Sequence, residues 1–492
     1  MKVRFAPSPT GYLHIGGLRT CLYDYLLAKK EKGDYILRIE DTDQGRLVDD
    51  ATKKLIETLI GLGIVHDEGP FIDETGNIEQ IGPAQPYIQS ERLAIYRQYV
   101  EQLIADGHAY YCFCSKTRLD SVREDQKKNG LTPKYDGLCR DIDIDEAERR
   151  IAAGEPYVVR LKIPADQDIS FDDQIRGTVT FNTAEIDDQV LLKQDGFPTY
   201  HLAVVVDDHL MGVSHVIRGE EWITSTPKHI ALYDAFGWQP PQYIHLPLIL
   251  NSEKKKLSKR HDDASVEDFL KKGYLKEALI NYVALLGWSP PDGSEIMSLA
   301  EIVDKFSIDR LSKSPAVFDV DKLRWMNGQY IRDYDLDALT ELAIPFFIAG
   351  GTLEPKSVPA HRGWLKKIVA ASRARVETLA DFAEQALVFK GDATPPISDS
   401  ARRFLEGDFA AVVIKALIAE LEKIDKLCYD EVKPMLKTVQ QTTGYKGKQL
   451  FMTVRIAISG QEHGVDLNDL LFILGRKRLI KRLNYTLENY MK

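Results

Sequence analysis

The sequence predicts an α/β protein built on a parallel sheet, interrupted by a strand-rich insertion and followed by an all-helical region. Three observations carry this. A strand, a helix and a second strand follow one another within about 40 residues of the N-terminus, the βαβ unit of a parallel sheet. Between about residues 110 and 208, strand-like runs displace the alternation of helix and strand. Beyond about residue 330 the apolar spacing is almost wholly helical. At 492 residues the chain is too long for one ordinary core.

Each element follows from its spacing. Residues 2–6 read as a short buried strand. Leu18, Cys21, Leu22, Tyr25 and Leu26 recur at helical spacing, and Gly33 stops that helix. Tyr35 to Ile39 is the second strand, ending in the acidic cluster Glu40-Asp41-Thr42-Asp43. Helices are expected over Lys53–Gly61 and Ser90–Gly107, the latter turning Leu93, Tyr96, Val100, Leu103 and Ile104 inward. In the insertion, Tyr157–Ile163 and Gly177–Phe181 read as strands. Val204–Asp208 and Val216–Gly219 are read as apolar strands ending in polar residues, where open α/β sheets bind ligands. Phe409–Ile424 and Leu467–Leu487 are long amphipathic helices. The expected boundaries are 1–109 and 207–260 for the two halves of the nucleotide fold, 110–206 for the insertion, 261–334 for a connecting region and 335–492 for the helical domain.

Composition narrows the class. Hydrophobic residues make up 44% and charged residues 28%, as in a soluble globular protein. No run of about 18 apolar residues suggests a membrane span. Pro7 and Pro9 interrupt any signal-peptide core. Five cysteines point to a reducing compartment, so a cytoplasmic protein is expected; a monomer is expected as well, though nothing in the sequence fixes the oligomeric state. A net charge of −10 argues against nucleic-acid binding through overall charge, but a local basic stripe would suffice.

Two segments carry the chemistry. Arg4-Phe5-Ala6-Pro7-Ser8-Pro9-Thr10-Gly11-Tyr12-Leu13-His14-Ile15-Gly16-Gly17 places a turn, a His and two Gly at the start of a helix. There a nucleotide's phosphates can approach the backbone. Lys256-Leu257-Ser258-Lys259-Arg260 follows the strand-like Leu246–Leu250, so its cations sit on a loop able to close over phosphates. Taken alone, the first would be a turn with a capping His and the second a solvated charge run.

Together these segments resemble the HIGH and KMSKS signatures of class I aminoacyl-tRNA synthetases, in wording close to that of glutamyl-tRNA synthetases. Pro198 to Trp222, PTYHLAVVVDDHLMGVSHVIRGEEW, extends the likeness. The resemblance implies a Rossmann-type catalytic domain that binds ATP and magnesium, an acceptor-binding insertion, a stem-contact region over 261–334, and an anticodon-binding helical domain. It implies His14 and Lys259 as catalytic residues, and an ATP site at Pro7, His14, Gly16, Gly17, Glu221, Lys256 and Lys259. It implies a glutamate site at Arg4, Ser8, Glu40, Tyr200 and Arg218: cations for the substrate carboxylates and an acid for its ammonium. The expected partner is tRNA(Glu), with tRNA(Gln) left open. A glutaminyl-tRNA ligase would be expected to end in β-barrels, a tRNA-modifying paralogue would stop near 300 residues, and a non-catalytic scaffold would show degraded motifs.

Two further clusters stand out. Cys112-Phe113-Cys114 and, after 24 residues, Cys139-Arg140-Asp141 resemble a zinc site of some family members. Asp141 stands where they have His, and Tyr135 is a second candidate for the fourth ligand; the alternative is free buried thiols. Near the C-terminus, Arg476 to Arg482 places five cations in seven residues. This is either a solvated helix face or a phosphate-binding stripe, with Arg476, Lys477 and Arg478 as its tRNA contacts.

Overall fold

The computed structural model describes residues 1–257 and 265–491. It divides the chain into two compact units. The first comprises Met1–Phe269 and Leu279–Val320, the second Leu270–Ala278 and Asp321–Lys492. Among the described residues no helix is long and apolar enough to cross a membrane.

The first unit opens with β1 (Lys2–Phe5), α1 (Ile15–Lys30) and β2 (Asp34–Leu37). β1 and β2 are parallel, with Val3 opposite Tyr35. α2 (Ala51–Leu62), the antiparallel pair β3 (Gly69–Ile72) and β4 (Ile78–Ile81), and α3 (Leu93–Ala105) follow. Next come β5 (Ala109–Cys112), α4 (Lys116–Lys128), α5 (Ile144–Ala152), β6 (Val158–Leu161), β7 (Asp168–Asp173), β8 (Gly177–Asn182) and β9 (Val190–Leu192). α6 (Tyr200–Leu210), β10 (His215–Gly219), α7 (Thr226–Phe236), β11 (Gln242–Leu246), β12 (Ile249–Leu250) and β13 (Ala316–Val317) complete the strands.

β10 and β11 are parallel, and β1 lies beside β10, where Ser214 N donates to Lys2 O at 2.9 Å. The insertion does not stand apart from this sheet. β7 joins β11 in parallel at Tyr243 and Asp173, and β8 pairs antiparallel on its far side. Val159, Leu161, Ile169 and Phe171 share one core with Tyr96, Val205 and Tyr233.

Val204–Asp208 corrects the sequence reading. It lies within α6, not in a strand, and Leu202 to Asp208 are all buried. A helix buried on every side shows no polar face, so a short apolar run does not reveal its period.

The second unit is helical. Leu336–Ala349, Val358–Ser372, Asp408–Glu422, Tyr429–Thr443 and Lys448–Ser459 surround a core that includes Phe347, Ile368, Val413 and Val454. Its last helix, Leu467–Tyr490, is broken at Gly475, whose φ of 71° and ψ of 160° suit only glycine. One long helix expected from the sequence is thus two segments meeting at that residue.

Candidate active site

Every residue expected at the ATP and glutamate sites lines one cleft of about 1040 Å³, except Lys259, which lies outside the described residues. His14 forms its nucleotide end. It caps α1, and its Nδ1 accepts from Gly17 N at 3.0 Å. The proton of the neutral ring therefore sits on Nε2, the nitrogen suited to donate to a phosphate oxygen. The ring lies over the helix terminus so closely that a Cβ at residue 16 would meet His14 Cε1 at 2.9 Å, which is why Gly16 is needed there.

The residues flanking the Ser258–Ala264 stretch are fixed at the same end. Leu257 N donates to Ile249 O at 2.9 Å, and Val266 N donates to Leu13 O at 2.9 Å. Lys256 lies 3.8 Å from Glu221, and both are half-exposed at the cleft.

The other end is built from buried charges. Arg38 is fully enclosed between Asp208 at 2.7 Å, Glu40 at 3.0 Å and Asp207 at 3.8 Å. Asp207 also takes Arg92 at 2.8 Å and the Tyr96 hydroxyl at 2.8 Å. Burial alone would raise the Asp208 carboxyl, but Arg4 and Arg38 hold it below the usual range. Burial pushes the Glu40 carboxyl up, against the pull of Arg38 and Arg4. Asp207 and Asp208 were read as strand-end ligand positions; they are instead the buried counter-charges that hold Arg4, Arg38 and Arg92. Two acids inside a valine-rich run were the available signal of that role.

Arg4 and Arg218 differ in what they leave open. Arg4 donates through Nε to Asp208 at 3.1 Å, and among the described residues neither terminal nitrogen makes a hydrogen bond. Its fork therefore faces the cleft. Arg218 gives Nε to His245 Nε2 at 3.0 Å, Nη1 to Tyr200 Oη at 3.2 Å and His229 Nδ1 at 3.3 Å, and Nη2 to Thr226 Oγ1 at 2.8 Å. Of its five N–H groups, one on Nη2 remains. Its partners are all neutral: burial, then Arg218 itself, drives His229 well below the usual histidine range. Among the described residues no carboxylate forms an ion pair with Arg218, although it is 6% exposed. His245, His229 and Thr226 were not foreseen, because nothing in their local sequence marks them.

The thiol cluster has a different composition from the one expected. The Sγ atoms of Cys112, Cys114 and Cys139 lie within 4.8 Å of one another, with Cys114 and Cys139 at 3.6 Å. Tyr135 Oη sits 3.5 Å from Cys112 Sγ and 3.7 Å from Cys114 Sγ. Such spacings fit the edges of a tetrahedron around zinc, about 3.8 Å for sulfur ligands at 2.3 Å. Asp141 is not brought in: its side chain is 88% exposed and faces Lys162 at 3.6 Å. The chain turns between Cys139 and Ile142, which carries Asp141 out to solvent.

Part of the basic C-terminal run is held by internal partners. Arg476 Nε donates to Leu421 O at 2.8 Å and Arg478 Nη1 to Phe389 O at 2.8 Å. Arg482 is fully buried and donates to Val388, Ile458, Lys390 and Gly391 carbonyls. Burial pushes its guanidinium down to about 10. Of the three expected tRNA contacts, only Lys477 is exposed.

Comparison with known proteins agrees with this architecture. Residues 1–325 match the catalytic domain of class I tRNA synthetases (E and Q), and residues 338–487 match an anticodon binding domain. A glutamate–tRNA ligase of Alkaliphilus metalliredigens is 49% identical over 99% of both chains, and one of Clostridioides difficile is 49% identical over 100% of both. The crystal structure of a glutamate tRNA ligase from Elizabethkingia meningosepticum, in complex with its amino acid, superposes with a TM-score of 0.89. It is 35% identical and covers 99% of both chains. The fold, the cleft and these matches together place the chain: it belongs to the class I tRNA synthetases (E and Q).

Proposed function

We propose that this chain is a glutamate–tRNA ligase. The observation that carries the reading is one cleft with a His-capped helix N-terminus at one end and a buried, uncompensated arginine beside an open arginine fork at the other. The first suits a triphosphate; the second demands a carboxylate-bearing amino acid. In the first step the α-carboxylate of glutamate attacks the α-phosphorus of ATP, giving glutamyl-adenylate and pyrophosphate. The nucleophile is the substrate, so the chain's task is positioning and charge stabilisation. His14 Nε2–H donates to a phosphate oxygen, while Lys256 and Lys259 stabilise the leaving charge. Arg4, Tyr200 and Arg218 hold carboxylate, Ser8 lines the same pocket, and Glu40 takes the ammonium. Magnesium bound with ATP would supply further charge neutralisation on the phosphates. In the second step the terminal ribose hydroxyl of tRNA attacks the mixed anhydride and releases AMP.

Residues 110–206 act as the acceptor-binding insertion, and 335–492 as the anticodon-binding domain. Cys112, Cys114, Cys139 and Tyr135 would hold zinc as a structural ion, which would tie the 109–114 and 135–142 segments together. The chain works as a cytoplasmic monomer; its five free thiols fit a reducing compartment.

Aminoacylation with purified glutamate and glutamine tRNA isoacceptors tests the reading. Glutamate should be transferred to tRNA(Glu), and Lys259→Ala should slow adenylate formation by roughly 100-fold or more. Transfer of glutamine in its place would overturn the proposal. Metal analysis should find about one zinc per chain. Tyr135→Phe should lower that content and Asp141→Ala should not.

A further inference from the structure

Behind Arg218 lies a second layer of groups that do not line the cleft. Asp173 Oδ2 accepts from His245 Nδ1 at 2.7 Å and from His245 N at 3.0 Å, and both side chains are fully enclosed. Asp173 Oδ1 accepts from the backbone N–H groups of Ile175 at 3.0 Å and Arg176 at 2.9 Å. Burial pushes the other way, yet these donors hold the Asp173 carboxyl below the usual range. An ionised carboxylate on Nδ1 fixes the ring's proton there, so Nε2 faces Arg218 as a bare acceptor. Thr226 completes the arrangement: its hydroxyl donates to Trp222 O at 3.0 Å and so offers its oxygen to Arg218 Nη2.

We infer that Asp173 and His245 are positioning residues for the substrate-carboxylate arginine: Asp173 fixes the His245 tautomer, and His245 holds Arg218 in place without neutralising it. The inference rests on the reading of this cleft as a glutamate site. Its physical point is charge. An aspartate placed directly on Arg218 would orient it equally well but would cancel the cation that must attract the substrate. An imidazole between the two keeps the acid one ring away. Asp173 comes from β7, so the strand pair contributed by residues 110–206 acts on the amino-acid end of the cleft through its single pairing with β11. If the pair serves only to fasten β7 to β11, its loss should lower stability and disturb both small substrates alike.

The test is ATP–pyrophosphate exchange by the full-length chain in the presence of tRNA, varying glutamate and ATP separately, with thermal melts alongside. His245→Leu removes the acceptor at similar size and should raise the KM for glutamate at least tenfold, with the KM for ATP within about twofold. His245→Gln restores an acceptor oxygen toward Arg218 and should recover the glutamate KM to within about threefold of the unaltered chain. Asp173→Asn presents a donor to Nδ1, turns the ring proton toward Arg218 and should resemble His245→Leu. Should Asp173→Asn fail to fold, the Leu and Gln pair at His245 decides the matter. Equal rises in both KM values, or no recovery with Gln, would overturn the positioning role. Arg218→Gln run in parallel separates the two claims. If it raises the glutamate KM and the His245 and Asp173 variants do not, only the positioning proposal falls. If Arg218→Gln itself leaves the glutamate KM unchanged, the glutamate reading of this pocket falls with it.

Discussion

Each unit sets arginines against internal acceptors, fully buried at Arg38 and Arg482, and the two sets do opposite things. In the first unit Arg4, Arg38 and Arg92 are matched by Asp207, Asp208 and Glu40, while Arg218 rests on neutral imidazole and hydroxyl groups. Counter-charges there are rationed so that Arg4 keeps its fork and Arg218 keeps its charge for a ligand. In the helical unit Arg476, Arg478 and Arg482 donate to backbone carbonyls at helix and loop ends. Those carbonyls have no other donor within their helices, and arginine supplies one. The lesson is that an arginine's role is read from its acceptors. The acceptors around Arg4 and Arg218 leave a donor or a charge for a ligand, whereas the four carbonyls around Arg482 consume it as a structural donor.

The comparison is most exposed at Arg482. Arg482→Met should destabilise the helical unit by about 3–5 kcal/mol, because carbonyls buried around the guanidinium lose their donor. Denaturant unfolding of the full chain measures this, with the KM for ATP unchanged. A normal transition combined with weakened tRNA binding would show that the helical cluster, too, is a ligand site.

Arg218 is the matching position in the first unit. Arg218→Gln should lower kcat/KM for glutamate about 100-fold, near 3 kcal/mol, with little change in unfolding. Arg4→Lys keeps the charge and loses the planar fork, so about a tenfold rise in glutamate KM is expected. A larger effect on stability than on glutamate use would make the two clusters alike.

Acid sharpens the contrast, because imidazoles titrate and carbonyls do not. Burial holds His201 and His66 down to about 4 and His229 well below the usual value. For such groups the unfolded chain binds more protons between about pH 4 and 6.5. Their contribution is therefore intact above 6.5 and is lost as pH falls toward 4, at up to about 1.4 kcal/mol per pH unit for each group. Hydrogen exchange of the full chain should show the first unit loosening at pH 5 before the helical unit does. Simultaneous loosening would remove the histidines from the account.

The smallest effect belongs to Lys477. As the exposed cation of the expected tRNA contacts, Lys477→Glu should raise the KM for tRNA by no more than about threefold at low salt, and less at high salt. A tenfold rise would restore the basic run as a phosphate site.

The sequence by itself determined the βαβ start, the helical C-terminal region and the location of the cleft. The first two follow from local period, and the nucleotide end of the cleft from turn chemistry: Gly16 and Gly17 behind His14 are legible because the backbone at a helix N-terminus dictates them; the amino-acid end was legible only through the resemblance to a known family. It also singled out Tyr135 as one of two candidates for the thiol cluster. Tertiary structure decided the rest. Val204–Asp208 became a helix because a segment buried on every side carries no polar face to declare its period. Asp141 left the thiols because the turn after Cys139 points it to solvent. Arg476 and Arg478 became structural donors because carbonyls more than 50 residues away in sequence needed them. The Asp173–His245–Arg218 chain joins three strands, and no local pattern encodes which acceptor a buried guanidinium will meet, since that partner is chosen only when distant segments pack and desolvate it.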